Sequence, residues 1–306
     1  MSGIKIIGRG KYLPKQEITS ADLSKKFNVT EEYICKVCGI KSRWYGSAED
    51  TLENMAYKAS LDAIKNGNIN CNDIDLIIVA TTSLNKVMPG ISYLVQSLLN
   101  IKDCMCLDIL AGCNGFVNAF DIAYNYIEIG KINTALVIGV EKLSSVVDSN
   151  DMSTAILFGD GAGATIITKS NKPKKYYSKF KSQGQDSECL TYEVGKKLTM
   201  DGTKVYKYAV AEVPKIINET LCLANLNIED IQHIVLHQSN TRIMSSIAKK
   251  LKIANDRLFS DIESVGNTFC ASIPIALTEI DLQEGQNLLM CGYGGGLNTG
   301  CIVLEV

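Results

Sequence analysis

The chain has 306 residues, of which 46% are hydrophobic and 21% charged, with five prolines; that suffices for one large domain or two of ordinary size and excludes a disordered protein. A formal net charge of −2 excludes a global pull toward nucleic acid or an anionic membrane surface, so a charged partner has to be met by a local patch. No run of about 18 apolar residues reads as a membrane span, and the eleven cysteines, odd in number and scattered, argue against a disulfide framework.

The N-terminal stretch MSGIKIIGRGKYLP lacks the apolar core and cleavage site of a secretion signal. A cytoplasmic protein with reduced thiols is therefore expected. Cys35 and Cys38 form a CxxC within EEYICKVCGIKSRW. A zinc site would need a second such pair or two histidines, and the only two, His233 and His237, are distant. The CxxC reads as packing, and no metal is expected.

Next, Leu52, Met55, Ala56, Ala59 and Ala63 share one helix face. The turn NGNIN follows, and DIDLIIVATTS (73–83) reads as a buried strand opening into a loop. CMCLDIL (104–110) is an apolar run suited to a second strand. It leads into LAGCNGF (110–116), beyond which Phe116, Ala119, Phe120, Ala123 and Ile127 recur at helical spacing. Gly130 ends that helix and a strand is predicted at Ala135–Gly139.

The segment Ser170–Gly202 is rich in Lys, Ser and Tyr and reads as a polar joint. After it the order starts again. Val210, Val213, Ile217 and Leu221 share a helix face, the turn ANLNI follows, and DIQHIVLHQSN (230–240) matches DIDLIIVATTS. Asp261-Ile262 leads to Gly266-Asn267 as Asp108-Ile109 leads to Gly112-Cys113. A helix to Gly285 and a strand at Asn287–Gly292 are predicted to complete the copy. The offset between copies stays near 155 residues. Alternation alone explains the order but not that offset. The chain therefore reads as two duplicated α/β halves, residues 1–169 and 170–306, with helix-covered parallel or mixed sheets. Functional loops are expected at the strand ends where the halves meet.

A free cysteine is ordinarily a small core hydrophobe. Cys113 stands apart because Gly112 and Gly115 flank it at a strand-to-helix turn, the mechanics of a nucleophile elbow with sulfur in place of oxygen. The helix N-terminus is expected to lower its pKa toward roughly 3.5–7.5. Free backbone N–H groups there can also hold an oxyanion. His237 opens HQSNTRI at a strand end, and Asn267 opens GNTFCASIPIAL before a helix. Taken singly, they read as a satisfied buried histidine and a helix N-cap. The duplication instead lets the Cys, His and Asn loops converge. His233, four residues earlier, falls inside the strand and turns away from the loop.

With these residues in view, the chain resembles the β-ketoacyl-acyl carrier protein synthase III family of thiolase-like condensing enzymes, nearly end to end. The motifs are IIGRGKYLP (6–14), GIKSR (39–43), ATTS (80–83), GCNGF (112–116), FGDGAGA (158–164), HQSN (237–240), GNTFCASIP (266–274) and GYGGGLNTG (292–300). The resemblance implies a five-layered αβαβα thiolase-like fold of two duplicated halves, and a homodimer. It also implies decarboxylative Claisen condensation of an enzyme-bound acyl thioester with a malonyl-acyl carrier protein. Coenzyme A and carrier-protein thioesters would be substrates, and no cofactor is implied. Cys113 would carry the acyl group, while His237 and Asn267 would assist decarboxylation and hold the enolate. The backbone amides of Cys113 and Gly295 would form the oxyanion hole, and Asn240 would contact coenzyme A. Lys207, Arg242, Lys249 and Lys250 would meet an acidic carrier protein. FGDGAGA reads as structural, with no chemistry for Asp160.

The chain departs from the family at its entrance. A Trp and two arginines that grip coenzyme A stand here as Tyr33, Val37 and Met152. Loss of those charges predicts weak coenzyme A binding, and a primer either delivered on a carrier protein or held differently. The acyl-pocket gate from across the dimer, often Phe, is the more adaptable Met88, whereas Phe269 replaces a small residue beside Asn267; acyl length stays open. The alternative is a non-decarboxylating acyltransferase passing the acyl group from Cys113 to an alcohol or amine. Retention of both His237 and Asn267 favours condensation. A thiolase proper would need a second catalytic cysteine, for which neither Cys291 nor Cys301 has the right context. Fatty-acid initiation and a specialised acyl pathway both remain open.

Overall fold

The computed structural model describes residues 3–306. In chain order the first elements are β1 (Ile4–Tyr12), β2 (Gln16–Thr19), α1 (Ser20–Phe27), α2 (Glu31–Cys38), β3 (Ser42–Tyr45), α3 (Leu52–Gly67) and β4 (Leu76–Ala80). Then come α4 (Ile91–Leu98), β5 (Met105–Ile109), α5 (Gly115–Glu128), β6 (Thr134–Glu141), α6 (Met152–Ala155) and β7 (Gly161–Lys169). The chain continues through β8 (Tyr176–Ser182), the short pair β9 (Leu190–Thr191) and β10 (Thr199–Met200), α7 (Gly202–Ala224) and β11 (His233–Leu236). It closes with α8 (Thr241–Leu251), α9 (Ile262–Val265), α10 (Ser272–Leu277), β12 (Asn287–Gly294) and β13 (Asn298–Glu305).

Two sheets organise these elements. The first has the order β1-β7-β6-β4-β5, with β4 parallel to both β5 and β6. The second has the order β11-β12-β13-β8. β4 reads LIIVA with every residue buried, as a strand covered by helices on both faces requires. Three apolar cores stack the layers. Met55, Ala59 and Val95 of α3 and α4 pack on Ile77 and Val79 of the first sheet. Phe116 and Phe120 of α5 and Ile273 of α10 lie with residues of both sheets, among them Val137 and Ile302. Val213 and Ile217 of α7 and Ile247 of α8 cover Leu289 and Val303 on the far face of the second sheet. The result is the five-layered αβαβα thiolase-like arrangement, with α5 and α10 as the middle layer.

Three local expectations are corrected. The polar segment 170–202 contains β8, which pairs along its whole length with β13 and is the edge of the second sheet. Two of its lysines lie on that edge: Lys179 and Lys181 pair with Glu219 and Glu212 of α7, and charge on an edge strand blocks further pairing. The helix after Asn267 ends at Leu277 instead of running to Gly285. The second half also has no full counterpart of β5, because Leu258 makes only an isolated parallel bridge to Ile234.

Candidate active site

β5 ends at Ile109, and Gly112–Asn114 form a tight 3-10 turn that hands the chain to α5. Gly112 has φ +55°, a conformation that side chains rarely adopt. Gly294 at the end of β12 makes room for the thiol: a Cβ there would fall 2.8 Å from Cys113 Sγ. The turn thus seats Cys113 against GYGGG, where the backbone N–H groups of Gly295 and of Cys113 itself favour the charged form of the sulfur.

The sulfur is not the low-pKa thiolate expected from the helix N-terminus. Cys113 is 4% exposed. Burial pushes its thiol well above the usual cysteine range, and the negative field of Glu141 pushes it further, against the weaker pull of the two N–H groups. Glu141 is fully buried at the end of β6. It accepts from Ser83 N–H (2.9 Å), Ser83 Oγ (2.6 Å) and Cys270 Sγ (3.0 Å). Desolvation outweighs the two backbone N–H groups here because the turn lies between two sheets and not at a surface.

His237 follows β11, and its backbone N–H donates to Cys291 O at 2.8 Å. Its Nδ1 lies 2.7 Å from Ser272 Oγ, and its ring packs edge-on against Tyr293, centroids 5.3 Å apart. Burial lowers its pKa to about 3, so the imidazole is neutral near pH 7. Asn267 Oδ1 accepts from Phe269 N–H (2.9 Å) and its Nδ2 donates to Ser239 O (3.1 Å). The first bond is cap-like, as the N-cap reading expects, yet among the described residues one Nδ2 hydrogen remains uncommitted. Phe269 holds φ +45°, rare for a bulky residue. Its ring meets Phe158 edge-on at 4.9 Å.

Cys113, His237, Asn267, Phe269 and Tyr293 line one cavity of about 90 Å³ together with Ser239 and Asn240. The Cys, His and Asn loops thus converge from both halves, while His233 is engaged elsewhere, with Nε2 2.7 Å from Gln286 Oε1. Met88 does not line this cavity of its own chain: it is 80% exposed on the loop before α4. Ser272, Ser239 and Tyr293 escaped the sequence reading, although all three sit inside the motifs that flagged their neighbours.

Next to the cavity, sharing Asn240, Ile243 and Met200 with it, lies a groove of about 570 Å³. Tyr33, Val37 and Met152 line it, with Arg242 as its charged residue. Lys207 on α7 and Arg242, Lys249 and Lys250 on α8 are exposed. The two helices are tied together by Lys250 Nζ to Val210 O (3.0 Å) and Tyr206 OH to Ser246 Oγ (3.0 Å). Asn240 caps α8 by accepting from Arg242 N–H at 2.8 Å.

The remaining candidates are structural. Cys35 and Cys38 lie in α2, with Cys38 Sγ donating to Ile34 O at 3.1 Å. Among the described residues no group of three or more His, Cys, Asp or Glu is set to hold a metal ion. Asp160 is buried and accepts from Gly46 N–H (2.7 Å) and Ser144 N–H (2.8 Å), which pins two loops.

Residues 107–184 match the family described as 3-oxoacyl-[acyl-carrier-protein (ACP)] synthase III, and residues 221–306 match its C-terminal family. The chain is 42% identical to the β-ketoacyl-[acyl-carrier-protein] synthase III of Acholeplasma laidlawii, covering 99% of this chain and 98% of that one. It is 39% identical to the enzyme of the same name from Aquifex aeolicus, covering 99% of both. The crystal structure of the Aquifex aeolicus 3-oxoacyl-[acyl-carrier-protein] synthase III superposes with TM-score 0.95 at 38% identity, over 99% of this chain and all of that one. The priming β-ketosynthase of the R1128 polyketide pathway superposes with TM-score 0.95 at 30% identity, over 99% and 96% of the two chains.

Proposed function

This chain belongs to the 3-oxoacyl-[acyl-carrier-protein] synthase III family, and from that premise we propose how its residues divide the reaction. The reaction is decarboxylative condensation of an acyl thioester with malonyl-acyl carrier protein, giving a β-ketoacyl product. Cys113 Sγ attacks the primer thioester, its proton leaves with the departing thiol, and the acyl group is held as a new thioester. The N–H groups of Cys113 and Gly295 would stabilise the oxyanion of that step. The malonyl thioester then loses carbon dioxide, and the freed electron pair becomes an enolate. His237 and the uncommitted Nδ2 hydrogen of Asn267 donate to its oxygen. The enolate carbon attacks acyl-Cys113, forming the carbon–carbon bond and releasing Sγ, which regains a proton.

The observation that carries this reading is the convergence of Cys113, His237 and Asn267 on one cavity from two halves of the chain. The test is intact-mass detection of acyl-Cys113, followed by carbon dioxide release on adding malonyl-acyl carrier protein. Acylation without carbon dioxide release would instead favour transfer to an alcohol or amine.

The entrance groove favours a carrier-protein primer. Coenzyme A presents three phosphate groups, yet Tyr33, Val37 and Met152 offer them no cation, which leaves Arg242 as the one cation lining the groove among the described residues. The exposed Lys207, Arg242, Lys249 and Lys250 suit an acidic carrier protein and would steer its approach. Efficient acylation of Cys113 by acetyl-coenzyme A at ordinary affinity would overturn this preference. A homodimer fits the open edge of the first sheet. Among the described residues β5 lacks an outer neighbour, and Leu110 beside it is 69% exposed. Two-fold pairing of β5 with its counterpart would satisfy that edge. We place the reaction in the cytoplasm, a setting that eleven free cysteines suit.

A further inference from the structure

The donor count around Ser272 bears on how His237 is held ready. Ser272 opens α10, five residues after Asn267, and is 2% exposed. Its Oγ accepts from Gln238 N–H at 3.3 Å and lies 2.7 Å from His237 Nδ1. A serine hydroxyl has one hydrogen to give. If Nδ1 carried the proton, Ser272 Oγ would accept twice and its own buried hydrogen would need another acceptor. Among the described residues, the only partners of this hydroxyl are His237 and Gln238. Donation of Oγ–H to Nδ1 satisfies every group in the set.

We propose that Ser272 is a positioning residue that locks His237 in its Nε2–H tautomer, so that the imidazole meets the malonyl thioester as a hydrogen-bond donor. This rests on the role proposed above for His237 in decarboxylation. A neutral imidazole has one N–H and one bare nitrogen, and they are not interchangeable in the site. With Nδ1–H, a lone pair would face the enolate oxygen and repel it. With Nε2–H, a donor faces the growing charge before the reaction begins, which is the condition for electrostatic preorganisation. Ser272 thereby does for His237 what the orienting third member of a catalytic triad does for its histidine, by a neutral hydroxyl in place of a carboxylate. Gln238 N–H completes the device, because it points the oxygen lone pair away and leaves the hydroxyl hydrogen for Nδ1.

The chain's two histidines make the test direct. In protein labelled with 15N-histidine at neutral pH, each imidazole reports its tautomer through its nitrogen shifts and couplings. His233 serves as an internal reference: Gln286 Oε1 also accepts from Gln283 N–H, so His233 Nε2 must be the donor to it. The His233→Gln variant assigns the signals. His237 is expected to show Nε2–H in the wild type. Ser272→Ala should lose that single tautomer and slow carbon dioxide release about 10- to 100-fold, with Cys113 acylation unchanged, while Ser272→Thr, which keeps the hydroxyl, restores both. A wild-type His237 in the Nδ1–H form overturns the proposal without any variant, as does unchanged decarboxylation in a folded Ser272→Ala protein. Absence of carbon dioxide release from the wild type would instead sink the decarboxylation reading, while the tautomer would still report on Ser272.

Discussion

Within one cavity, Cys113, His237 and Asn267 are buried almost equally, at 4%, 2% and 5% exposed, but they are held in different ways. On the first-half side, backbone holds the sulfur: a glycine turn seats it, and two N–H groups are all that ease its ionisation. On the second-half side the polar groups are tied to one another. Ser239 links them, since its N–H donates to His237 O (2.9 Å), its carbonyl accepts from Asn267 Nδ2 (3.1 Å) and its hydroxyl meets Tyr293 OH (2.8 Å). The difference separates the two half-reactions. In the proposed mechanism, the nucleophile rests as a thiol and must lose its proton during attack, whereas the proposed decarboxylation donors are fixed in advance, where preorganisation is worth most.

Removing one side at a time should uncouple the chemistry. The largest effect is expected for Cys113→Ala: condensation falls by at least about 10³-fold, the acyl-enzyme mass disappears, and carbon dioxide release from the malonyl thioester remains measurable. Equal loss of both activities would break the comparison. His237→Ala and Asn267→Ala should do the converse, cutting carbon dioxide release and condensation about 10²- to 10³-fold while Cys113 still takes up its acyl group. Because burial holds the His237 pKa near 3, its imidazole stays neutral at every pH above that value. A pH profile of carbon dioxide release should therefore show no inflection near the ordinary histidine pKa, and one appearing there would mean His237 is solvated in the working enzyme.

Much of the fold could be read because its central strands are short β-branched runs bounded by turn residues, as in DIDLIIVATTS and DIQHIVLHQSN. β8 could not, because an edge strand guarded by Lys179 and Lys181 carries the polar signature of a linker. The overlong helix after Asn267 failed because the middle layer between the sheets ends there, a tertiary limit that periodicity does not encode. At the site, the glycines around Cys113 announced its turn. Its ionisation state was hidden, since that depends on burial between two sheets and on Glu141, which lies 28 positions further along the chain. Ser272 was hidden for a related reason: one serine among small residues looks like any helix start until its partner is in place.

The contrast in ionisation has its own measurement. With the Cys113 thiol raised by burial and by Glu141, its thiolate fraction at neutral pH is small and grows about tenfold per pH unit. Alkylation of Cys113 by a small neutral reagent, followed by mass, should therefore accelerate with a slope near one in log rate through the accessible alkaline range. A plateau reached by about pH 7.5 would restore the low-pKa thiolate that a helix N-terminus alone implies.

The smallest expected effect probes the tied side. Tyr293→Phe deletes the hydroxyl that meets Ser239 Oγ and also donates to His237 O at 3.3 Å. The ring stays, so its edge-on packing against His237 and the cavity wall are kept. Ser239 Oγ is left without that partner in a buried site, which costs about 1–2 kcal/mol and should appear as a lower Tm. His237 O keeps the Ser239 N–H and Asn267 keeps the Ser239 carbonyl, so the donors themselves remain held and carbon dioxide release should fall no more than about threefold, a loss of under 1 kcal/mol in the barrier. A much larger fall with an unchanged Tm would mean that the phenol touches substrate and is itself a catalytic donor. Cys113 acylation should be unaffected in either case, because the backbone seat of the sulfur at Gly294 and Gly295 does not involve that hydroxyl.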